Sequence, residues 1–334
     1  MMGVNDRNLE SLYHAINSRE CTGTFAPAVY VVELTRECNL SCIICPHHRI
    51  PAIDRQPMTV DSFIRIVEKI APYAELVMLY FMGEPTLHPE FSFILEVARK
   101  ILKGKIVVST NGYQVSTDSL EAMIKFCDII ICPIDRWRIK EYETIRRGSN
   151  FSDVVKNIEK LIQIRDKQPD NSTPEIVVKM LGMQLPNTEQ DGGLLNEVQE
   201  FTNYWEERGA KVLFGWLSTW AGQIPNLSRL STTQVTGPHD FEPCADLWFK
   251  MVVDCKGNVP LCCYDFKSSV VVGNLCSQDL FEVWQGDDAV NNRRAFCEDD
   301  VPVPDMCLRC SESSNIQELH DYIELSDDGY FRVF

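Results

Sequence analysis

Short, almost continuously apolar runs alternate with helical periods between residues 29 and 217, and this alternation constrains the fold more than any other feature. Runs of this kind are typical of parallel strands, because packed side chains fill one side of the sheet and helices cover the other. Six runs are predicted to be strands: Val29–Leu34, Glu75–Phe81, Lys105–Thr110, Asp128–Ile134, Glu175–Met183 and Lys211–Leu217. The sequence therefore predicts an α/β fold, a partial (β/α)6 barrel with its chemistry at the carboxyl ends of the strands.

Amphipathic periods between these runs predict the helices. From Asp61 to Ile70 the apolar side chains recur on one face, and Thr59 stands where it can cap the first turn. A second period covers Phe151 to Arg165. Each lies between two predicted strands, as a β/α repeat requires.

These periods stop after Leu217, where a stretch rich in Ser, Thr, Pro and Gly predicts a linker across the domain face. We therefore divide the chain into an N-terminal extension (residues 1–28), a barrel domain (29–230) and a small C-terminal domain (231–334). The last has short strands, a short helix and little apolar mass. Metal ligation is expected to supply part of its stability.

Composition narrows the classes of function. The chain has 334 residues, 45% of them hydrophobic, which is enough to bury a core without disulfides. It contains no apolar run of about 18 residues and no signal peptide, so we expect a cytoplasmic protein without a membrane partner. The net charge of −16 and the lack of Lys/Arg clusters argue against nucleic acid as a partner. In a reducing compartment, 14 cysteines are better explained by metal binding than by disulfides.

Three cysteines follow the first predicted strand at C-x3-C-x2-C spacing: Cys38, Cys42 and Cys45. This spacing leaves two kinds of metal site open. Zinc prefers four ligands and paired C-x2-C knuckles, so His47 and His48 would have to complete a zinc site. An iron–sulfur cube held by three cysteines instead leaves one iron open to an external ligand.

This loop, preceded by the residues ELT, resembles the corresponding loop of the radical S-adenosylmethionine (radical SAM) superfamily. FMGEPTLHPE, after the second strand, is similar to that family's Gly-Gly-Glu-Pro motif, and STNG follows the third strand as in many members. The resemblance implies that Cys38, Cys42 and Cys45 hold a [4Fe-4S] cluster whose fourth iron binds SAM. It also implies six cofactor-binding residues: Ile44, Gly83, Glu84, Pro85, Ser109 and Asn111.

Two positions depart from the family pattern. The residue before the last cysteine is commonly aromatic in the family but is Ile44 here, so its contact with the adenine is expected to be apolar only. At the fourth strand, residues 133–136 replace the family's Ser-x-Asp-Gly, which keeps Asp135 and removes a serine contact with the cofactor. Further along, Arg146 and Arg147 either bind an anionic substrate or solvate a helix entrance.

A second set of cysteines lies in the C-terminal region: Cys244, Cys262, Cys307 and Cys310. Spacing alone permits zinc or an iron–sulfur cluster. C-x12-G-x4-C followed by C-x2-C resembles the SPASM extension of radical SAM enzymes in its shorter twitch form, and the spacing is similar to that of the 2-deoxy-scyllo-inosamine dehydrogenase branch. The resemblance implies one auxiliary [4Fe-4S] cluster. Cys255 and Cys263 are rival ligands, but the glycine spacing favours Cys262.

The resemblance implies reductive cleavage of SAM to a 5′-deoxyadenosyl radical that removes hydrogen from a C–H bond. Fewer than thirty residues precede the first predicted strand, so we expect no leader-peptide recognition module. This favours a small polyhydroxylated substrate, a sugar or aminocyclitol, which is oxidised or epimerised. A peptide-modifying maturase and a zinc-stabilised binding protein are the alternatives. A flavodoxin or ferredoxin is the expected electron donor, and no catalytic residue is assigned.

Overall fold

The computed structural model describes residues 4–169, 174–183, 193–224, 227 and 244–310. The strands are β1 Val29–Val32, β2 Leu76–Met78, β3 Lys105–Ser109, β4 Ile129–Pro133, β5 Glu175–Gly182, β6 Lys211–Trp216, β7 Lys250–Val253, β8 Asn258–Pro260 and β9 Val271–Asn274. The helices are α1 Val4–Ser18, α2 Val60–Ile70, α3 Phe91–Ile101, α4 Thr117–Phe126, α5 Ile139–Ile145, α6 Phe151–Asp166, α7 Gly193–Glu206, α8 Asp246–Phe249, α9 Leu280–Trp284 and α10 Asp287–Arg294. Among the residues so described, no helix is long and apolar enough to cross a membrane.

The main sheet has seven strands in the order β6-β5-β4-β3-β2-β1-β7, and all its pairings are parallel. Strands β1 to β6 follow chain order, with helices in the connections between them. This is the arrangement of a partial (β/α)6 barrel, so the predicted fold class is confirmed. All six predicted strands are present, each shorter than its apolar run.

Helix α2 illustrates how the local pattern builds this fold. The Thr59 hydroxyl accepts a hydrogen bond from the Ser62 backbone N–H at 3.1 Å, which confirms the predicted cap. Four apolar side chains of α2 are fully buried: Phe63, Ile66, Val67 and Ile70. Burial of each is worth about 1.5–3 kcal/mol relative to exposure, so this face holds the helix on the sheet.

Strand β7 was not expected in the main sheet. Lys250–Val253 falls in the predicted C-terminal domain, yet it pairs in parallel with β1 along the whole of Val29–Val32. A four-residue apolar run is compatible with any buried strand position, so the sequence alone cannot show this pairing. The C-terminal region therefore shares a sheet with the barrel, and the domain boundary predicted at residue 230 lies outside the described residues.

The remainder of the C-terminal region is small. Strands β8 and β9 form an antiparallel pair with an irregularity between Val259 and Pro260, and three short helices surround them. The predicted N-terminal extension contains helix α1, which the sequence reasoning did not identify. Leu12 and Ala15 of α1 are fully buried, and the Asn8 amide bonds the backbone of Ala26 in both directions at 2.8 and 3.1 Å. The extension is therefore an integral part of the core.

Candidate functional site

The cysteine loop after β1 is anchored to loops that follow neighbouring strands. The Asn111 amide, after β3, donates to the Asn39 side-chain oxygen at 2.8 Å. The Ile43 backbone N–H donates to the carbonyl of Ile145, at the end of α5, at 2.9 Å. These bonds hold residues 38–45 across the carboxyl ends of the strands, where a parallel sheet places its chemistry.

The three cysteines of this loop are partly exposed thiols that lie within electrostatic range of one another. The pKa of Cys38 is raised to about 11 and that of Cys45 to about 12, chiefly by burial, and the neighbouring Cys42 contributes to both shifts. Arg146 opposes both shifts, so its guanidinium also lies near the loop. Within the described ranges, no group of three or more His, Cys, Asp or Glu is arranged to hold a metal ion.

Glu84 lies in the loop that follows β2, where its buried carboxylate accepts several hydrogen bonds. Its Oε1 accepts from the Thr86 hydroxyl and the Thr110 hydroxyl, both at 2.7 Å, and from the Thr86 backbone at 3.2 Å. Among the described residues, its Oε2 accepts from the Asn111 backbone N–H alone, at 2.7 Å. Burial raises the pKa of Glu84 although these bonds oppose the shift. A carboxylate oxygen accepts about two hydrogen bonds, so Oε2 keeps room for one further donor.

Gly83 brings the backbone of this motif against the cysteine loop. A Cβ at residue 83 would lie 2.1 Å from the Thr35 carbonyl oxygen and 2.7 Å from the Glu37 carbonyl oxygen. The Glu84 N–H donates to the same Glu37 oxygen at 2.7 Å. Only glycine permits this approach, because the obstructing atoms are backbone and cannot rotate away.

Gly83→Ala is therefore expected to lower the free energy of unfolding by about 1–3 kcal/mol, the usual range for overpacking. The added methyl would push Thr35 and Glu37 away and displace the loop that leads to Cys38. Denaturant unfolding measures the loss. Gly23→Ala is the matched control, because its added Cβ would meet atoms of the Phe25 side chain, the nearest at 2.9 Å, and no backbone atom. An equal loss in both variants would contradict the argument from the rigid contact.

The other predicted cofactor-binding residues lie at or after the carboxyl ends of β1, β2 and β3. Ser109 ends β3, and Pro85 begins a 3-10 turn for which the Glu84 side chain is the N-terminal cap. The Asn111 amide oxygen accepts from a backbone N–H, so its side chain is already fixed. Ile44 packs against an apolar cluster, and its carbonyl accepts from the Trp220 indole N–H at 3.0 Å.

A cluster of buried charged side chains lies at this end of the sheet, and the sequence did not predict it. Asp135, after β4, accepts from Arg146 Nε at 2.7 Å, and both side chains are buried. Lys179, on β5, is also buried, and burial lowers its pKa to about 8 while Asp135 opposes the shift. The available signal was a lysine in the middle of the apolar run EIVVKMLGM, which is unusual for a strand buried on both faces.

The second cysteine set also comes together. Burial raises the pKa of Cys307, and Cys262 and then Cys244 raise it further, so these three thiols are neighbours. Cys310 follows at the end of a 3-10 turn that starts at Cys307, and its N–H donates to the Cys307 carbonyl at 3.2 Å.

The rival cysteines have different surroundings. The Cys263 thiol hydrogen-bonds the neighbouring Cys262 side chain and lies 3.8 Å from a carboxylate oxygen of Asp246, whereas Cys255 is buried beside Glu33. All 14 cysteines lie within the described residues, and none of them forms a disulfide there.

Comparisons with known proteins agree with this geometry. The model of the radical SAM superfamily matches residues 32–177, and that of an iron–sulfur cluster-binding domain, SPASM, matches residues 244–311. An uncharacterised protein of Treponema pallidum (strain Nichols) is 24% identical over 295 residues, which cover 84% of this chain and 78% of that protein.

Two solved structures share the fold. BtrN in complex with AdoMet and 2-DOIA aligns with a TM-score of 0.56 and 17% identity, over 85% of this chain and 92% of BtrN. Streptococcus suis SuiB bound to its precursor peptide SuiA aligns with a TM-score of 0.65 and 15% identity, over 98% of this chain and 79% of SuiB.

The fold, the cysteine loop and these matches together define the class: the chain contains a radical SAM domain over residues 32–177. Its C-terminal region contains a SPASM iron–sulfur domain, as the sequence resemblance implied. These domains imply a [4Fe-4S] cluster, SAM and auxiliary iron–sulfur chemistry. The residues present fit these groups, because two sets of cysteine thiols supply soft ligands and Glu84 keeps an acceptor position near Cys38 of the first set.

Proposed function

We propose that the chain is a radical SAM oxidoreductase that acts on a small polyhydroxylated molecule, such as a sugar or an aminocyclitol. The observation that carries the proposal is the pair of cysteine sets, one of three thiols and one of four. Three thiols leave one iron of a cube open for SAM, whereas four thiols close a cube and favour electron transfer. This combination suits oxidation at carbon, and epimerisation is the other outcome available at the same atom.

The ligands of the SAM-binding cluster in this proposal are Cys38, Cys42 and Cys45. The effect of Cys42 on the pKa of Cys38, and of Cys42 and Cys38 on that of Cys45, supports the assignment, since it requires the three thiols to be close. His47 is an unsuitable alternative, because its Nε2 lies 2.6 Å from the Arg36 carbonyl oxygen.

The ligands of the auxiliary cluster in this proposal are Cys244, Cys262, Cys307 and Cys310. The influence of Cys262 and Cys244 on the Cys307 pKa supports this set. Of the vicinal pair, Cys262 is the partly exposed thiol that raises the Cys307 pKa, whereas Cys263 is buried beside an Asp246 carboxylate, which supports Cys262 as the ligand.

When bound, the reduced cluster and SAM supply a 5′-deoxyadenosyl radical that removes a hydrogen atom from the substrate. The chain's own residues bind and orient the cofactor. Glu84 Oε2 would accept a hydrogen bond from the methionyl amine, since it holds one backbone donor already, and Pro85 starts the turn that this side chain caps. Gly83 lets the backbone approach closely.

The remaining residues would contact other parts of the cofactor. Ser109 and Asn111 would lie beside the ribose or the carboxylate, and Ile44 would offer the adenine an apolar surface. The Arg146 guanidinium lies near the three thiols and offsets part of the negative charge that they carry as ligands.

The substrate class is supported by the likeness to BtrN, whose structure contains 2-DOIA and of which the alignment covers 92%. A peptide-modifying maturase is the second candidate, because SuiB, which was solved with a precursor peptide, aligns over 98% of this chain. A cytoplasmic location and a flavodoxin or ferredoxin as electron donor belong to the same proposal.

Anaerobic reconstitution followed by product analysis tests this function. We expect roughly eight irons and eight sulfides per chain, as two [4Fe-4S] clusters require. With SAM, a reductant and a polyhydroxylated substrate in deuterated water, oxidation removes two hydrogens from the product mass. Epimerisation leaves the connectivity of the substrate unchanged and replaces one carbon-bound hydrogen with a deuterium from the solvent. Two zinc ions and no sulfide would exclude an enzyme of this class.

A further inference from the structure

A buried carboxylate oxygen without a partner lies at the mouth of the barrel. Asp135 is fully buried, and only its Oδ2 is used, by Arg146 Nε at 2.7 Å. Its Oδ1 has no hydrogen-bond partner among the residues that the structure describes. An unsatisfied buried acceptor costs free energy that a ligand's donor would recover, so this oxygen marks a place where a ligand donates.

Lys179 lies within electrostatic range of Asp135, and three adjacent strands position its side chain. Its register partner on β4 is Pro133, and its carbonyl accepts from the Ile134 N–H at 2.7 Å. On the other side, a Cβ at Gly215 of β6 would lie 2.6 Å from Lys179 Cε and 3.3 Å from Nζ. The lysine side chain therefore occupies the space that a side chain at residue 215 would fill.

Asp135 and Lys179 also lie next to the cysteine loop. The charges of Asp135 and Arg146 both act on Lys179, and the same two charges act on Cys42. Arg146 is therefore near both the cysteine loop and the lysine. A molecule bound by Asp135 and Lys179 would be close to the cofactor that Cys42 helps to hold.

We propose that Asp135 and Lys179 bind the substrate, with Asp135 Oδ1 accepting from one hydroxyl or amino group and Lys179 Nζ donating to a neighbouring oxygen. The inference rests on the proposed function and names the residues that select its substrate. An acceptor and a donor held side by side match adjacent hydroxyl or amino groups on a polyol ring. Molecules that lack these groups are rejected, because binding them would leave buried polar atoms unpaired.

Lys179→Met tests this site, since methionine keeps much of the side-chain volume and removes the amine. Binding of 2-deoxy-scyllo-inosamine and of myo-inositol is measured by calorimetry on the anaerobically reconstituted full chain with SAM and without reductant. We expect at least one probe to bind the wild type, and Lys179→Met to bind it about tenfold more weakly or worse, because a hydrogen bond to a charged group is lost. Gly215→Ala, whose methyl displaces the lysine without removing it, is expected to weaken binding as well.

Lys211→Met is the matched control, because Lys211 is a partly exposed lysine on β6 that pairs with Glu175. It is expected to bind both probes like the wild type. Iron content and the spectrum of the SAM-bound cluster establish that each variant is loaded, and Gly215→Ala decides the question if Lys179→Met does not load.

Three results would overturn the inference. The first is that Lys179→Met binds a probe as tightly as the wild type does. The second is that Gly215→Ala does so, in the case where Lys179→Met does not load its clusters. The third is that the loaded wild type binds neither probe. Cleavage of SAM by the wild type is measured separately. A wild type that cleaves SAM while one of these results holds refutes only the substrate site, whereas failure to cleave SAM refutes the proposed function itself.

Discussion

Cys42→Ala is expected to abolish SAM cleavage. Cys42 is the middle thiol of the loop, and its influence on the pKa of both Cys38 and Cys45 places it near each of them. Two thiols cannot replace three, because a cube with two open irons loses its geometry and no longer presents SAM with a single docking position. The measurement is 5′-deoxyadenosine formed under anaerobic conditions with a chemical reductant, which should fall below detection.

Iron content distinguishes loss of one site from general unfolding. In Cys42→Ala we expect iron to fall from roughly eight to roughly four atoms per chain, because the auxiliary cysteines remain. Cys297→Ala is the control, since Cys297 is a partly exposed thiol outside both sets, and it should keep full iron and full cleavage. Formation of 5′-deoxyadenosine by Cys42→Ala would count heavily against the ligand assignment.

The parts of the fold that sequence predicts well are those that depend on local patterns. The six barrel strands and the Thr59 cap follow from apolar runs and from one hydroxyl at the start of a period, and the structure contains them all. Strand β7 is different, because its place beside β1 depends on pairing between residues far apart in the chain. Local periodicity carries no information about such a pairing.

The same distinction divides the candidate site. The cysteines and Glu84 were identified because they lie within short motifs whose spacing is visible in the sequence. Asp135, Arg146 and Lys179 come from three separate elements, and only the parallel order of β4 and β5 brings them together. Their sequence signals, an aspartate after a strand and a lysine within an apolar run, are too common individually to indicate a site.

A buried charge network connects the cysteine loop to the C-terminal region and was also invisible in sequence. Arg36 Nε donates to Glu33 Oε2 at 2.7 Å, and its Nη2 donates to Asp254 Oδ2 at 3.2 Å. All three side chains are buried. The Glu33 carboxylate also accepts from the backbone N–H groups of Met82 and Cys255, at 3.2 and 3.1 Å. One arginine therefore forms ion pairs with two buried carboxylates where the segment that leads to the cysteine loop meets the C-terminal region.

Arg36→Met is expected to lower the free energy of unfolding by about 3–5 kcal/mol, because it leaves Glu33 and Asp254 buried without their cation. Denaturant unfolding at several pH values measures the loss. Burial already raises the pKa of Glu33 while Arg36 opposes the shift, so removal of the arginine raises it further. A carboxyl whose pKa is raised in the folded state takes up a proton on folding. The difference from wild type should therefore be largest near neutral pH and shrink as the pH falls.

Arg65→Met is the matched control for this effect. Arg65 pairs with Asp61 across one turn of α2 at 2.7 Å, but its side chain is 60% exposed and that of Asp61 74%. Exposed pairs of this kind contribute only about 0.3–0.5 kcal/mol, since water solvates both charges. The two variants could lose similar free energies of unfolding, or the loss in Arg36→Met could be the same at every pH. Either result would mean that the network stabilises the protein through packing and not through its ion pairs. A large pH-dependent loss would instead make Arg36 the residue that stabilises the cysteine loop against the C-terminal region, because the Arg36 carbonyl also contacts His47 within that loop.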